Sequence, residues 1–120
     1  MWPLSPLPPP PIPQRIREIL KDYPELLDTL QNGLNNVILK PVRLTPPFEV
    51  AIWALEDGLE SFIFRAKDEL DAAEATGDAV AIERARLKER VMQAARSKAG
   101  GMRSLRELRQ YFEANQRAFE

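Results

Sequence analysis

From Phe48 to Ala66 the chain carries Phe48, Ile52, Leu55, Leu59, Phe62 and Ala66 at alternating spacings of four and three residues. A seam of that period is the apolar stripe of a long helix that must be buried against other helices. Val50, Trp53 and Ile63 widen the stripe beyond a simple seam, so this helix is expected to touch more than one neighbour. Thr45, Pro46 and Pro47 suit its start, since Thr can cap and proline is harmless in a first turn. Thr76-Gly77-Asp78 suits its end: a glycine closes one helix and an N-capping aspartate opens the next. The chain is therefore expected to form an antiparallel helical hairpin over about 46–75 and 78–98.

Around the hairpin the same reasoning predicts helices over 14–22, 24–38 and 104–118. Pro24 interrupts the first helical pattern, which leaves one kinked helix or two short ones. Asp22 with Glu25, and Ser104 with Glu107, have the spacing of capping boxes. The far end of the second segment is weakened by Gly33, Asn35 and Asn36. Residues 40–44 read as a connector stopped by Pro41. No β-alternation of useful length and no internal repeat occurs. The expected fold is all-α: a small helical bundle around the hairpin, forming one domain over 14–120.

Residues 1–13 hold 7 of the 11 prolines and form a separate arm of polyproline or extended character. Trp2, Leu4, Leu7 and Ile12 give it apolar contacts to offer, to its own core or to a neighbouring molecule. Pro10 to Arg15 also match the loose pattern of a proline-rich ligand with a flanking cation. A structural arm or helix start is the simpler use of those residues.

Cysteine and histidine are both absent. That removes disulfides, thiol nucleophiles, the commonest general base and the commonest zinc ligands. A conventional nucleophilic triad cannot be built, and the adjacent Ser97 and Lys98 point to different helix faces. A Mg²⁺-dependent all-α nucleotide hydrolase would draw on helix carboxylates such as Glu56, Asp57 and Glu60, with Asp68, Glu69 and Asp71 beyond them. The second cluster does not repeat the first's spacing, and the opposing helix is mainly basic, so a solvated acidic face is the better reading. No catalytic residue, metal or cofactor is expected.

The net charge of −1 hides a reversal along the chain. Residues 1–80 carry a net −6, and residues 81–120 a net +5. On an antiparallel hairpin this sets an acidic arm beside a basic one, with Arg84, Arg86, Lys88, Arg90, Arg96 and Lys98 on the latter. Complementarity within the chain is the leading expectation, pairing between subunits the second, and polyanion binding the third. For the last, Arg96, Lys98, Arg103 and Arg106 surround Gly100 and Gly101, whose amides would face a phosphate. No DNA- or RNA-binding motif accompanies them, and a pI near 5.6 counts against a phosphate-dominated role.

Trp53 lies one position off the main seam, and Phe64 almost opposite Phe62. Unless the early helices cover them, both are interface residues. The functional expectation is a non-enzymatic protein–protein interaction module, a regulator, inhibitor or adaptor, that also self-associates as a homodimer. Its contact residues would be Trp2, Leu4, Leu7, Trp53 and Phe64. Nucleic acid is the less favoured partner and a membrane is not expected; with no secretory signal or spanning segment, a soluble cytoplasmic protein is.

Overall fold

The computed structural model describes residues 7–39 and 45–119, so Trp2, Leu4 and the 40–44 connector lie outside the described residues. Five α-helices follow in order: α1 Gln14–Ile19, α2 Pro24–Leu39, α3 Pro47–Thr76, α4 Ala79–Arg96 and α5 Arg106–Ala114. A 3₁₀ turn, Gln116–Phe119, follows the last. No strand occurs among the described residues. The fold is a small all-α bundle around the α3–α4 hairpin.

The hairpin turn forms as its residues dictate. Gly77 adopts a left-handed φ of 71°, which a side chain would resist, and its amide bonds to the Glu74 carbonyl. The Asp78 carboxylate then accepts from the amides of Val80 and Ala81, filling donors that a helix start leaves open. Three cations of α4 tie the arms together: Arg86 pairs with Glu74 at 3.8 Å, Lys88 with Glu69 at 3.0 Å, and Arg96 with Glu56 at 3.4 Å and Glu60 at 4.0 Å. Complementarity within the chain thus absorbs much of the charge reversal. Solvent-accessible pairs contribute roughly 0–1 kcal/mol each, so Arg86–Glu74 and Lys88–Glu69 favour the register more than the stability.

α3 is the central helix. Its residues Ala51, Leu55, Leu59, Phe62 and Ala66 are buried, and α2 and α4 both pack against it. α2 contributes Leu26, Leu30, Leu34 and Val37 to the same core. With 30 residues α3 spans about 45 Å, most of the 56 Å long dimension of the molecule. From residue 67 to the turn its side chains are exposed except for the half-buried Leu70 and Ala73. The tip of the hairpin therefore projects past the bundle.

Pro24 resolves the early segment into two helices. A proline in a helix interior removes one hydrogen bond and clashes with the preceding turn, whereas in a first turn it costs nothing. Residues 20–23 form a turn, and the amides of Leu26 and Leu27 bond to the Tyr23 carbonyl. α2 then runs through Gly33, Asn35 and Asn36 without a break, with Gln31 Nε2 donating to Asn35 Oδ1 one turn on.

Several expected helix ends differ. Pro46, not Thr45, occupies the N-cap of α3 and makes no side-chain cap. The α4 helix stops at Arg96 because Ser97 turns extended and its hydroxyl accepts from the Ala99 amide. Ser104 does not cap α5, whose N-cap is Leu105 with no side-chain bond. Glu107 instead crosses the bundle, accepting from the Gln14 amide at 3.0 Å and pairing with Arg17 at 3.3 Å. That carboxylate serves the N-terminus of α1, where a negative charge is favoured.

The described part of the arm is structural. Pro10, Ile12 and Pro13 are buried, and Leu7 is half-buried. The Gln31 amide donates to the Pro10 carbonyl at 2.8 Å, and the Tyr111 hydroxyl donates to the Pro8 carbonyl at 2.6 Å. The arm thereby bridges α2 and α5. Burial raises the Tyr111 phenol above its ordinary value of 10.0. An unfolded phenol ionises first, so this contribution is intact below pH 10 and is lost as pH rises through the folded value. Tyr111→Phe is expected to cost about 1 kcal/mol near neutral pH. Its difference from wild type in urea unfolding should shrink above pH 10; a difference independent of pH would refute the link.

Candidate protein-docking surface on α3

At 3.6 residues per turn, Trp53 and Phe64 fall within about 20° of each other around α3 and about 16 Å apart along it. They share one face, directed away from the core seam. Neither is covered: Trp53 is 53% exposed and Phe64 68%. Of the first helices, which the sequence offered as a cover, α2 comes up beside Trp53 without closing over it and α1 packs elsewhere. α2 approaches the flank of α3 where Gly58 leaves room for Leu30, a Cβ there lying 2.8 Å from Leu30 Cδ2. α1 packs on α4 rather than on α3.

Beside Trp53, the helices leave a shallow groove lined by Gly33, Asn36 and Val37 of α2 and by Val50, Ala54 and Asp57 of α3. The absence of a side chain at Gly33 helps keep it open, since a Cβ there would meet nothing within 4 Å. Farther along the face, Asp57, Asp68 and Asp71 are exposed. None is in an ion pair among the described residues. The surface thus joins two aromatic anchors, a groove and uncompensated negative charge.

The remaining sites suggested by the sequence are placed differently. Arg96 turns to α3, reaching Glu56 at 3.4 Å and Glu60 at 4.0 Å, and its Nε is buried without a hydrogen-bond partner. Lys98, Arg103 and Arg106 are exposed. The amides that would cradle a phosphate are spent within the turn: Gly100 and Met102 donate to the Ser97 carbonyl, and Gly101 to that of Ala94. Arg15 Nε donates to the Gly100 carbonyl from outside. The proline-rich pattern is likewise occupied, with Pro10, Ile12 and Pro13 turned into the protein. Among the described residues, no group of three acidic, histidine or cysteine side chains is placed to hold a metal ion. No described helix is long and apolar enough to cross a membrane.

Sequence reasoning missed one apolar feature. Val80 and Leu87 on α4 are 60% and 57% exposed, on the side away from α3. Val80 and Leu87 are among the larger aliphatic side chains of α4, yet the residues of α4 that are buried are Ala85, Met92 and Ala95. The signal was present in the alanines: Ala85 and Ala95 fall with Met92 on one side, and alanines let two helices approach closely. No protein-family model, curated protein or solved structure matches this chain, so the surface has to be understood from its own side chains.

Proposed function

We propose that this chain is a non-enzymatic helical protein–protein interaction module, docking a protein partner on the outer face of α3. The observation that carries the proposal is the pair of exposed aromatics, Trp53 and Phe64, aligned on one rigid helix. Aromatic side chains are enriched at interface centres because they bury much area at little conformational cost. A long helix held on both flanks by α2 and α4 presents them without prior ordering. The groove beside Trp53 gives an incoming apolar side chain a place to insert.

The test is Trp53→Asp combined with Phe64→Asp. Both positions are largely exposed, so thermal unfolding should be nearly unchanged, within about 0.5 kcal/mol. Binding measured with natively purified protein should fall by at least tenfold. Wild-type protein that binds no protein through these two residues, its own copies included, would overturn the proposal.

A further inference from the structure

Resting on the docking role proposed for α3, we infer that the occupant of its Trp53–Phe64 face is the outer face of α4 from a second copy. The two surfaces are complementary in kind. On α3, Glu56 and Glu60 are engaged by Arg96, Glu69 by Lys88 and Glu74 by Arg86. The exposed Asp57, Asp68 and Asp71 are left unneutralised beside the aromatics, with Lys67 at the edge of the face.

On α4 the pattern is the reverse. Val80 and Leu87 lie seven residues apart, hence nearly in line, and Ala94 extends the row. Arg84 and Arg90 flank this row, about 60° to either side. Neither is in an ion pair among the described residues. Glu83, which also borders the row, is held by Arg86 of its own helix at 3.6 Å. From Val80 to Ala94 the row spans about 21 Å, enough to lie over both Trp53 and Phe64, about 16 Å apart.

Charge selects the unlike pairing. Two α3 faces brought together would oppose carboxylates to carboxylates, and two α4 faces would oppose arginines to arginines. An α3 face on an α4 face joins opposite charges around an apolar centre. Because the two faces differ, each contact leaves one face free on each copy. The association is head-to-tail, and it continues until a ring closes or the chain of copies ends.

Sedimentation of the full chain and of two variants tests this. Trp53→Asp/Phe64→Asp removes the α3 face and keeps the α4 face; Leu87→Asp/Arg90→Glu does the opposite. All four positions are exposed, and circular dichroism and melting confirm that each variant is folded. Wild type should show a weight-average mass that keeps rising with concentration. Each variant alone should be monomeric, and an equimolar mixture should form a species of twice the monomer mass that grows no further. A mixture that stays monomeric, or a Trp53/Phe64 variant that still assembles, overturns the inference. Wild type that remains monomeric yet binds another protein through Trp53 and Phe64 overturns it too, and leaves the docking role standing. Loss of both behaviours sinks both.

Discussion

Leu59→Ala is expected to cost about 3 kcal/mol of unfolding free energy, within the range for a buried leucine truncated in a well-packed core. Leu59 is fully buried at the middle of α3. It lies on the central helix, with α2 and α4 packed to either side, so a void there is lined by rigid neighbours that collapse poorly. A domain of this size has a total stability of roughly 5–15 kcal/mol, of which this is a large share. The melting temperature should fall by roughly 10–15 °C. Urea unfolding provides the check, with the midpoint lowered and the slope unchanged. A loss below about 1 kcal/mol would mean that α3 is not the helix on which the core is built.

Gly101→Ala should be comparably damaging for a different reason. A Cβ at Gly101 would sit 2.1 Å from the Ala95 carbonyl oxygen and 2.8 Å from Ala95 Cα. These are backbone atoms of the last turn of α4, so no side chain can rotate out of the way. Either that turn unwinds or the α4–α5 connection swings out, exposing Met102 and Leu108, which are now buried. A loss of about 3 kcal/mol is expected, at the upper end for overpacking. Gly33→Ala is the matched control. It lies within α2 with nothing within 4 Å of its added methyl, so it should stabilise by roughly 0.5–1 kcal/mol through helix propensity. Opposite signs from the same substitution would show that the α4–α5 turn depends on contact and not on glycine's freedom. Equal effects would refute that reading of the α4–α5 turn.

The hairpin was legible because its determinants are local. The four–three seam of α3, the left-handed Gly77 and the Asp78 cap are each set by residues close together in the chain. The reading at Thr45 failed because the helix begins one residue later, with Pro46 at the N-cap, and the box of Ser104 with Glu107 failed because the carboxylate has partners elsewhere. Glu107 has the spacing to reach back to its own helix, yet α1 brings an uncovered amide and Arg17 within reach of it. A carboxylate goes to the strongest donors available, and sequence spacing does not reveal those that arrive through space. Arg96 follows the same rule: beside Gly100 and Gly101 in sequence it resembles a phosphate ligand, while in the fold Glu56 and Glu60 claim it.

The docking face divides in the same way. The residues themselves determined that α3 would be apolar over more than one face, that Trp53 and Phe64 lay off its seam, and that the arms of the hairpin carried opposite charge. Periodicity and charge are properties of a single helix and can be counted along the chain. Only the tertiary structure decided that α2 covers the flank beside Gly58, that α1 goes to α4, and that both aromatics remain in solvent. It also decided that Val80 and Leu87 point outward while Ala85, Met92 and Ala95 pack inward. Which apolar face is buried depends on how closely two backbones approach, and that is set by the side chains of both helices together.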